Sequence, residues 1–227
     1  MQLYIGNKNY SSWSMRSWVL MKQAGIPFDE VLVRFDAFTP ESNFKTELAR
    51  LTPTGRVPVL VDKGFAVWDT LAIAETLAER FPKAKLWPTD KAARARARSV
   101  CAEMHSGFGA LRSHLPMNIE ASLPKVGERV WRDQALVRVD LARIVQMWTE
   151  LLAAHGGPML FGAFSIADAY FAPVVMRLSG YGVPVPDPIA DYMARVQALP
   201  GVQAWVEGAL AEQDFLAFEE PYRSAPA

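Results

Sequence analysis

The sequence predicts an α/β unit over residues 1–81 followed by an all-α unit over residues 90–227. Three observations predict it. β-prone runs are confined to the first 70 residues. A Pro- and Lys-rich stretch, Pro82 to Asp90, interrupts the chain. From Lys91 onward apolar residues recur at helical rather than alternating spacing. A chain of 227 residues has room for one or two such units at about 150 residues each.

The elements follow in order. Gln2 to Gly6 is a short β-prone run, and Asn7 to Ser12 is turn-like. Ser14 to Ala24 places Met15, Trp18, Val19, Leu20 and Met21 in a helix-compatible pattern, stopped by Gly25-Ile26-Pro27. Phe28 to Phe35 is a strand, so the first 35 residues are β-α-β with two parallel neighbours and a right-handed crossover. A polar loop leads to a short helical patch through Leu48 and Leu51. Val57–Val61 and Phe65–Trp68 flank Asp62-Lys63-Gly64, a hairpin signal. Asp69 or Thr70 then caps a helix with Leu71, Ile73, Ala74, Leu77 and Ala78 on one face.

In the second unit, helices are expected over 91–115, 127–155, 166–179, 188–198 and 201–213. Breaks are expected at Pro116, Pro124, Gly156-Gly157-Pro158, the Pro184/Pro186/Pro188 run and Pro200-Gly201. Lys91, Arg94, Arg96 and Arg98 form the solvated face of the first of these. Ser165-Ile166-Ala167-Asp168 is a capping box, with Phe161 or Phe164 as its hydrophobic staple.

Charge excludes a dedicated nucleic-acid binder. There are 24 basic and 24 acidic residues, balanced nine to nine in residues 1–81 and fifteen to fifteen in 82–227. The single cysteine, Cys101, rules out an internal disulfide framework and reads as a small buried hydrophobe. His105, His114 and His155 lack metal-ligand spacing, so no metal is expected. No apolar run approaches the roughly 18 residues of a membrane span, and no secretory signal layout is present, which points to a cytoplasmic protein without membrane contact.

Three stretches carry chemistry. Tyr10-Ser11-Ser12-Trp13-Ser14-Met15-Arg16 joins strand 1 to helix 1. A hydroxyl there, with the free N–H groups and partial positive charge of the helix start, favours the charged form of a thiol held over it, although a serine there also serves as a plain N-cap. Arg56-Val57-Pro58 enters strand 3. A cis Val57–Pro58 bond turns the Val57 backbone outward, where it can pair with a peptide-like ligand. Trp68-Asp69-Thr70 opens helix 3, where a carboxylate, a hydroxyl and a helix start can hold the ammonium and carboxylate of a ligand, or simply cap the helix.

This order of elements, with Val57-Pro58 before strand 3, Asp69-Thr70 opening helix 3 and an all-helical second half, resembles the cytosolic glutathione transferases over nearly the whole chain. Ser11-Ser12-Trp13-Ser14-Met15-Arg16 resembles the Ser-Ser-Cys-Ser-x-Arg signature of their serine-type, zeta-like branch, with Trp13 at the cysteine position. That departure points away from isomerase chemistry. The resemblance implies a thioredoxin-like fold for residues 1–81 and a homodimer. It implies glutathione as co-substrate and a small electrophile or peroxide as its partner. It assigns the thiolate to Ser11, or to Ser12 one position on, and backbone pairing to Val57. Asp69 and Thr70 would bind the γ-glutamyl end, and Asn43 or Lys45 the glycine arm; Arg56 and Pro58 flank the site. The electrophile pocket would lie between the halves, formed by Trp13 and by His105, Phe108 and Arg112 at helical spacing. A non-catalytic binding or regulatory protein on the same scaffold is the alternative.

Overall fold

The computed structural model describes residues 1–225. Four strands form one sheet in the order β2-β1-β3-β4: β1 (Gln2–Ile5), β2 (Asp29–Leu32), β3 (Val59–Asp62) and β4 (Phe65–Trp68). β1 and β2 are parallel, with Leu3 opposite Glu30. β1 and β3 are antiparallel, with Leu3 opposite Leu60. β3 and β4 are antiparallel, with Leu60 opposite Val67. The β3–β4 turn has Lys63 at φ 50° and Gly64 at φ 82°. Two successive positive φ values match the twist of a two-residue hairpin.

Helix α1 (Ser12–Gln23) connects β1 to β2, α2 (Asn43–Ala49) follows β2, and α3 (Thr70–Arg80) follows β4. α1 is buried continuously from Ser14 to Met21. A one-sided helix would alternate, so this run marks an element covered on every side. α1 packs on α3, on α8 (Ile166–Gly180) and on α10 (Pro200–Glu212). One hydrophobic core therefore runs from Leu3 and Ile5 of the sheet through α1 to Phe171, Tyr192 and Trp205 of the helical half. A smaller core, with Tyr10, Phe35, Phe44 and Val59, lies beneath β2 and α2.

The remaining helices are α4 (Lys91–Ser106), α5 (Gly109–His114), α6 (Pro124–Asp133), α7 (Ala135–His155) and α9 (Asp187–Gln197). Two expected helices are each two. The 91–115 helix breaks at Gly107-Phe108. Gly107 closes α4 by donating to Glu103 O (2.8 Å), and a Cβ on it would meet that oxygen at 2.7 Å. Phe108 then adopts a left-handed conformation (φ 55°) and points the chain into α5. The 127–155 helix breaks at Gln134, where neither Gly nor Pro gives a signal. The guanidinium of Arg138, on α7, donates to the carbonyls of Trp131 and Arg132 and so caps the end of α6. Pro124 starts α6 as its first residue rather than ending a helix.

Ser165 and Asp168 form the expected capping box at the start of α8. The Asp168 carboxylate is fully buried and accepts from Ser165 N (2.9 Å), Ser165 Oγ (3.1 Å), Leu160 N (3.1 Å) and Tyr192 Oη (3.1 Å). Arg98 of the basic face of α4 is exposed and makes a bidentate pair with Glu75.

Candidate functional site

A cleft of about 580 Å³ opens where the C-terminal end of β1, the start of α1 and the start of α3 meet α4, α5 and α8. Topology places its floor. β1 ends at Ile5, and the turn Gly6–Ser11 delivers the chain to the N-terminus of α1.

Ser11 is the N-cap residue of α1 and is 5% exposed, with its Oγ 2.7 Å from Ser14 Oγ. Ser14 in turn accepts from Gly6 N (3.1 Å), tying the turn to the helix. Among the described residues no side chain caps α1, so the helix start faces the cleft uncompensated. Ser12 Oγ also lines the cleft and accepts from Arg177 Nη2 (3.2 Å). On one flank Val57–Pro58 is cis, as expected, and both residues line the cleft beside Arg56. Lys45 reaches it from α2, its Nζ donating to Gly55 O (2.8 Å).

At the opposite end Asp69 caps α3, accepting from Leu71 N (2.8 Å), with φ 74°. A positive φ at an aspartate is strained, and the other carboxylate oxygen takes no part in the cap. That oxygen, Oδ2, lies 3.3 Å from His105 Nε2. Thr70 is buried, and its Oγ1 accepts from Tyr170 Oη (2.7 Å). His105 packs edge-on against Trp13 (4.9 Å between ring centres). Burial first, then the charges of Arg16 and Arg112, hold the His105 pKa below its usual value against the pull of Asp69. The lowered pKa keeps the ring neutral at physiological pH, so its 3.3 Å approach to Asp69 Oδ2 is not an ion pair there.

That depression sets a pH dependence. The unfolded histidine, titrating near 6.5, binds a proton that the folded one does not, between that pH and its lowered folded value. Stability should therefore fall as pH drops from about 6.5 through this window. In urea unfolding at pH 5 and pH 7, His105→Gln should lose less on acidification than the parent; an equal loss would remove His105 from the acid response.

Three arginines gather behind Trp13 and Ser12. Arg16 is sandwiched between the rings of Trp13 (4.4 Å) and Tyr170 (4.7 Å). Burial pulls its pKa down to about 10, and its Nε and Nη1 have no hydrogen-bond partner. Arg177, in α8, donates from Nε to Leu115 O (2.9 Å), and burial with Arg16 and Arg112 nearby pulls it down to about 9. Arg112 lines the cleft with its Nε unpartnered. Arg16 and Arg177 stay protonated near neutrality, and no carboxylate pairs with Arg112 or Arg177 among the described residues.

The structure thus brings Ser11, Ser12, Trp13, Lys45, Arg56, Val57, Pro58, Asp69, Thr70, His105 and Arg112 to one cleft. It does not bring Phe108 or Asn43 there. The break at Gly107 turns Phe108 into the core, where it is 7% exposed. Asn43 is the exposed first residue of α2, its N–H held by Asp36 Oδ2 (2.9 Å). Arg177 and Glu219 line the cleft and were missed by sequence reasoning. Arg177 did leave a signal: it sits in an apolar helix with no acidic residue three or four positions away. Glu219 lies beyond the last patterned helix and left none.

The glutathione S-transferase N-terminal domain family matches residues 10–80, and the glutathione S-transferase C-terminal domain family matches residues 91–208. A stringent starvation protein A homolog from Coxiella burnetii is 27% identical, covering 94% of this chain and 93% of its own. Glutathione S-transferase 1 of Dianthus caryophyllus is 28% identical, covering 81% and 80%. Among solved structures, a glutathione transferase homolog from Burkholderia GL BGR1 with bound glutathione superposes with a TM-score of 0.71 at 27% identity, covering 92% of this chain and 98% of its own.

Proposed function

The chain belongs to the glutathione S-transferase family, and from that premise we propose that it is an enzyme that holds glutathione as a thiolate and presents it to a small electrophile. The observation that carries the reading is the cleft itself. Ser11 and an uncapped helix start lie between a cis Val57–Pro58 turn on one side and Asp69-Thr70 on the other. In this reading residues 1–81 bind glutathione and the helical half from residue 90 supplies the electrophile side. The Ser11 hydroxyl donates to the sulfur, and the α1 dipole favours its negative charge. The Val57 backbone pairs with the cysteinyl unit, Lys45 and Arg56 take the glycine carboxylate, and Asp69 takes the γ-glutamyl ammonium. His105 positions Asp69 rather than touching the electrophile.

The electrophile side is cationic. Arg112 and Arg177 face the cleft without acidic partners, an arrangement that favours an electrophile bearing a carboxylate. Arg177→Met should raise KM for a carboxylate-bearing electrophile about tenfold while leaving that for a neutral one within about twofold. Equal effects on both would remove Arg177 from substrate recognition. Asp69→Ala should weaken glutathione and its S-alkyl analogues alike, by about tenfold, because the carboxylate sits far from the sulfur and acts on ground and transition states equally. Undiminished affinity in the folded variant would take Asp69 out of the site.

The proposed setting is a cytoplasmic homodimer; Phe65 and Trp68 on β4 are exposed large hydrophobics of the kind a partner covers. Among the described residues no helix is long and apolar enough to cross a membrane. The likeness to a stringent starvation protein A homolog supports a second reading, binding or regulation without turnover. Calorimetric titration with glutathione followed by a panel of aryl halide, enone and peroxide substrates separates the two. Binding with turnover supports the enzyme; binding without turnover, or no binding at millimolar glutathione, overturns it in favour of the second reading.

A further inference from the structure

Beyond α10, residues 213–225 stay against the molecule. They fold back across the site, and this segment lies past the last residue of the matched family domains, 208. Its contacts converge on the turn that presents Ser11. The Glu220 carboxylate is 6% exposed and accepts from Tyr10 Oη (2.7 Å), from Asn118 Nδ2 (2.9 Å) and from Arg223 Nε (2.9 Å) and Nη2 (2.5 Å). The same tyrosine oxygen accepts from Leu216 N (3.2 Å). Three residues before Tyr10 on the turn, Asn7 Nδ2 donates to Asp214 Oδ2 (2.6 Å) while its Oδ1 holds Phe35 N (2.8 Å). Phe218 packs edge-on against Phe38 (5.4 Å) at the rim, and Glu219 lines the cleft.

We propose that Asp214–Arg223 is a working wall of the active site, in which Glu220 is a positioning residue that acts through the Tyr10 hydroxyl on the Ser11-Ser12 turn. The geometry points this way because Tyr10 is covalently next to Ser11 and its ring sits in the small core under β2, so the hydroxyl is the handle by which the turn is fixed from outside. Arg223 and Asn118 neutralise and orient the buried carboxylate, and Asn118 brings in the α5–α6 connection. Its neighbour Asn9 on the turn accepts from Ile119 N (3.2 Å) and Glu120 N (2.9 Å). The turn is thus gripped from two sides, and the tail is one of them.

The proposal rests on the glutathione reading for its catalytic consequence but not for its structural one, and the test separates them. Tyr10→Phe, Glu220→Ala, Glu220→Gln and the double variant Tyr10→Phe/Glu220→Ala are compared with the parent in the full chain. Amide hydrogen exchange over residues 7–14 needs no glutathione; it should accelerate in Tyr10→Phe with thermal unfolding little changed, and in Glu220→Ala with a drop of several degrees because Arg223 and Asn118 lose their buried partner. With glutathione and an electrophile, kcat should fall about tenfold and the bound thiol's pKa should rise, while glutathione affinity stays within about twofold. Glu220→Gln, which keeps an acceptor for Tyr10, should recover part of the loss. The double variant should be no worse than the worse single one, because both cut the same link. Unchanged exchange over 7–14 in a folded Glu220→Ala overturns the proposal, as does a double variant whose losses multiply. If exchange accelerates and the parent shows no glutathione binding, the wall stands and the glutathione reading falls.

Discussion

Asp168→Ala should lower the unfolding temperature by about 10 °C. Four donors converge on this fully buried carboxylate: the Ser165 amide and hydroxyl, the Leu160 amide and the Tyr192 hydroxyl. Alanine strands all four in the interior. Each uncompensated buried polar group costs about 1–3 kcal/mol, partly relieved by relaxation, so about 4 kcal/mol is expected. That is a large share of the roughly 5–15 kcal/mol typical of a native domain. Burial raises the Asp168 pKa while its accepted bonds oppose the rise, so the group is held in place by its donors rather than by solvation. The effect reaches the site because α8 packs on α1 and carries Arg177 and Tyr170. Thermal unfolding by circular dichroism decides it. A shift under about 2 °C would show that the box is dispensable.

Ser11→Ala should cut turnover by about one to two decades with the fold intact and glutathione affinity less affected. The hydroxyl acts on the charged sulfur rather than on the bulk of the tripeptide. A charge-assisted hydrogen bond of that kind is worth roughly 1.5–3 kcal/mol. The bound thiol's pKa should rise in step, and the pH–rate profile should shift to higher pH. Ser12→Ala is the control, since Ser12 Oγ accepts from Arg177 and faces the electrophile side. If Ser12→Ala gives the large effect and Ser11→Ala none, the thiolate belongs to Ser12.

The sequence carried the sheet half well because its signals are local. Gly25-Ile26-Pro27 ends α1 and Lys63-Gly64 makes a two-residue turn; in the helical half the same holds for Ser165 and Asp168, three apart at a helix start. The failures are places where a distant partner decides the backbone. Gln134 breaks a helix with no breaker residue, because Arg138 caps the freed carbonyls. Phe108 matched the face of His105 and Arg112 only on an unbroken helix; in its left-handed conformation it belongs to the core. His105 lines the cleft beside Trp13 as the sequence suggested, but its contact with Asp69 crosses 36 positions, which spacing along one helix cannot reveal. The tail contacts of Glu220 have the same character. They close over some 210 residues, and the tail itself has no periodic pattern to read.

The central claim is that this cleft binds glutathione as a thiolate, and the ultraviolet thiolate absorbance of the bound complex, titrated against pH, tests it most directly. The account predicts a saturable signal that titrates at least about one pH unit below free glutathione in the same buffer, and that moves back toward the free value in Ser11→Ala. A bound thiol that titrates with the free one, or no thiolate signal at millimolar glutathione, would contradict it.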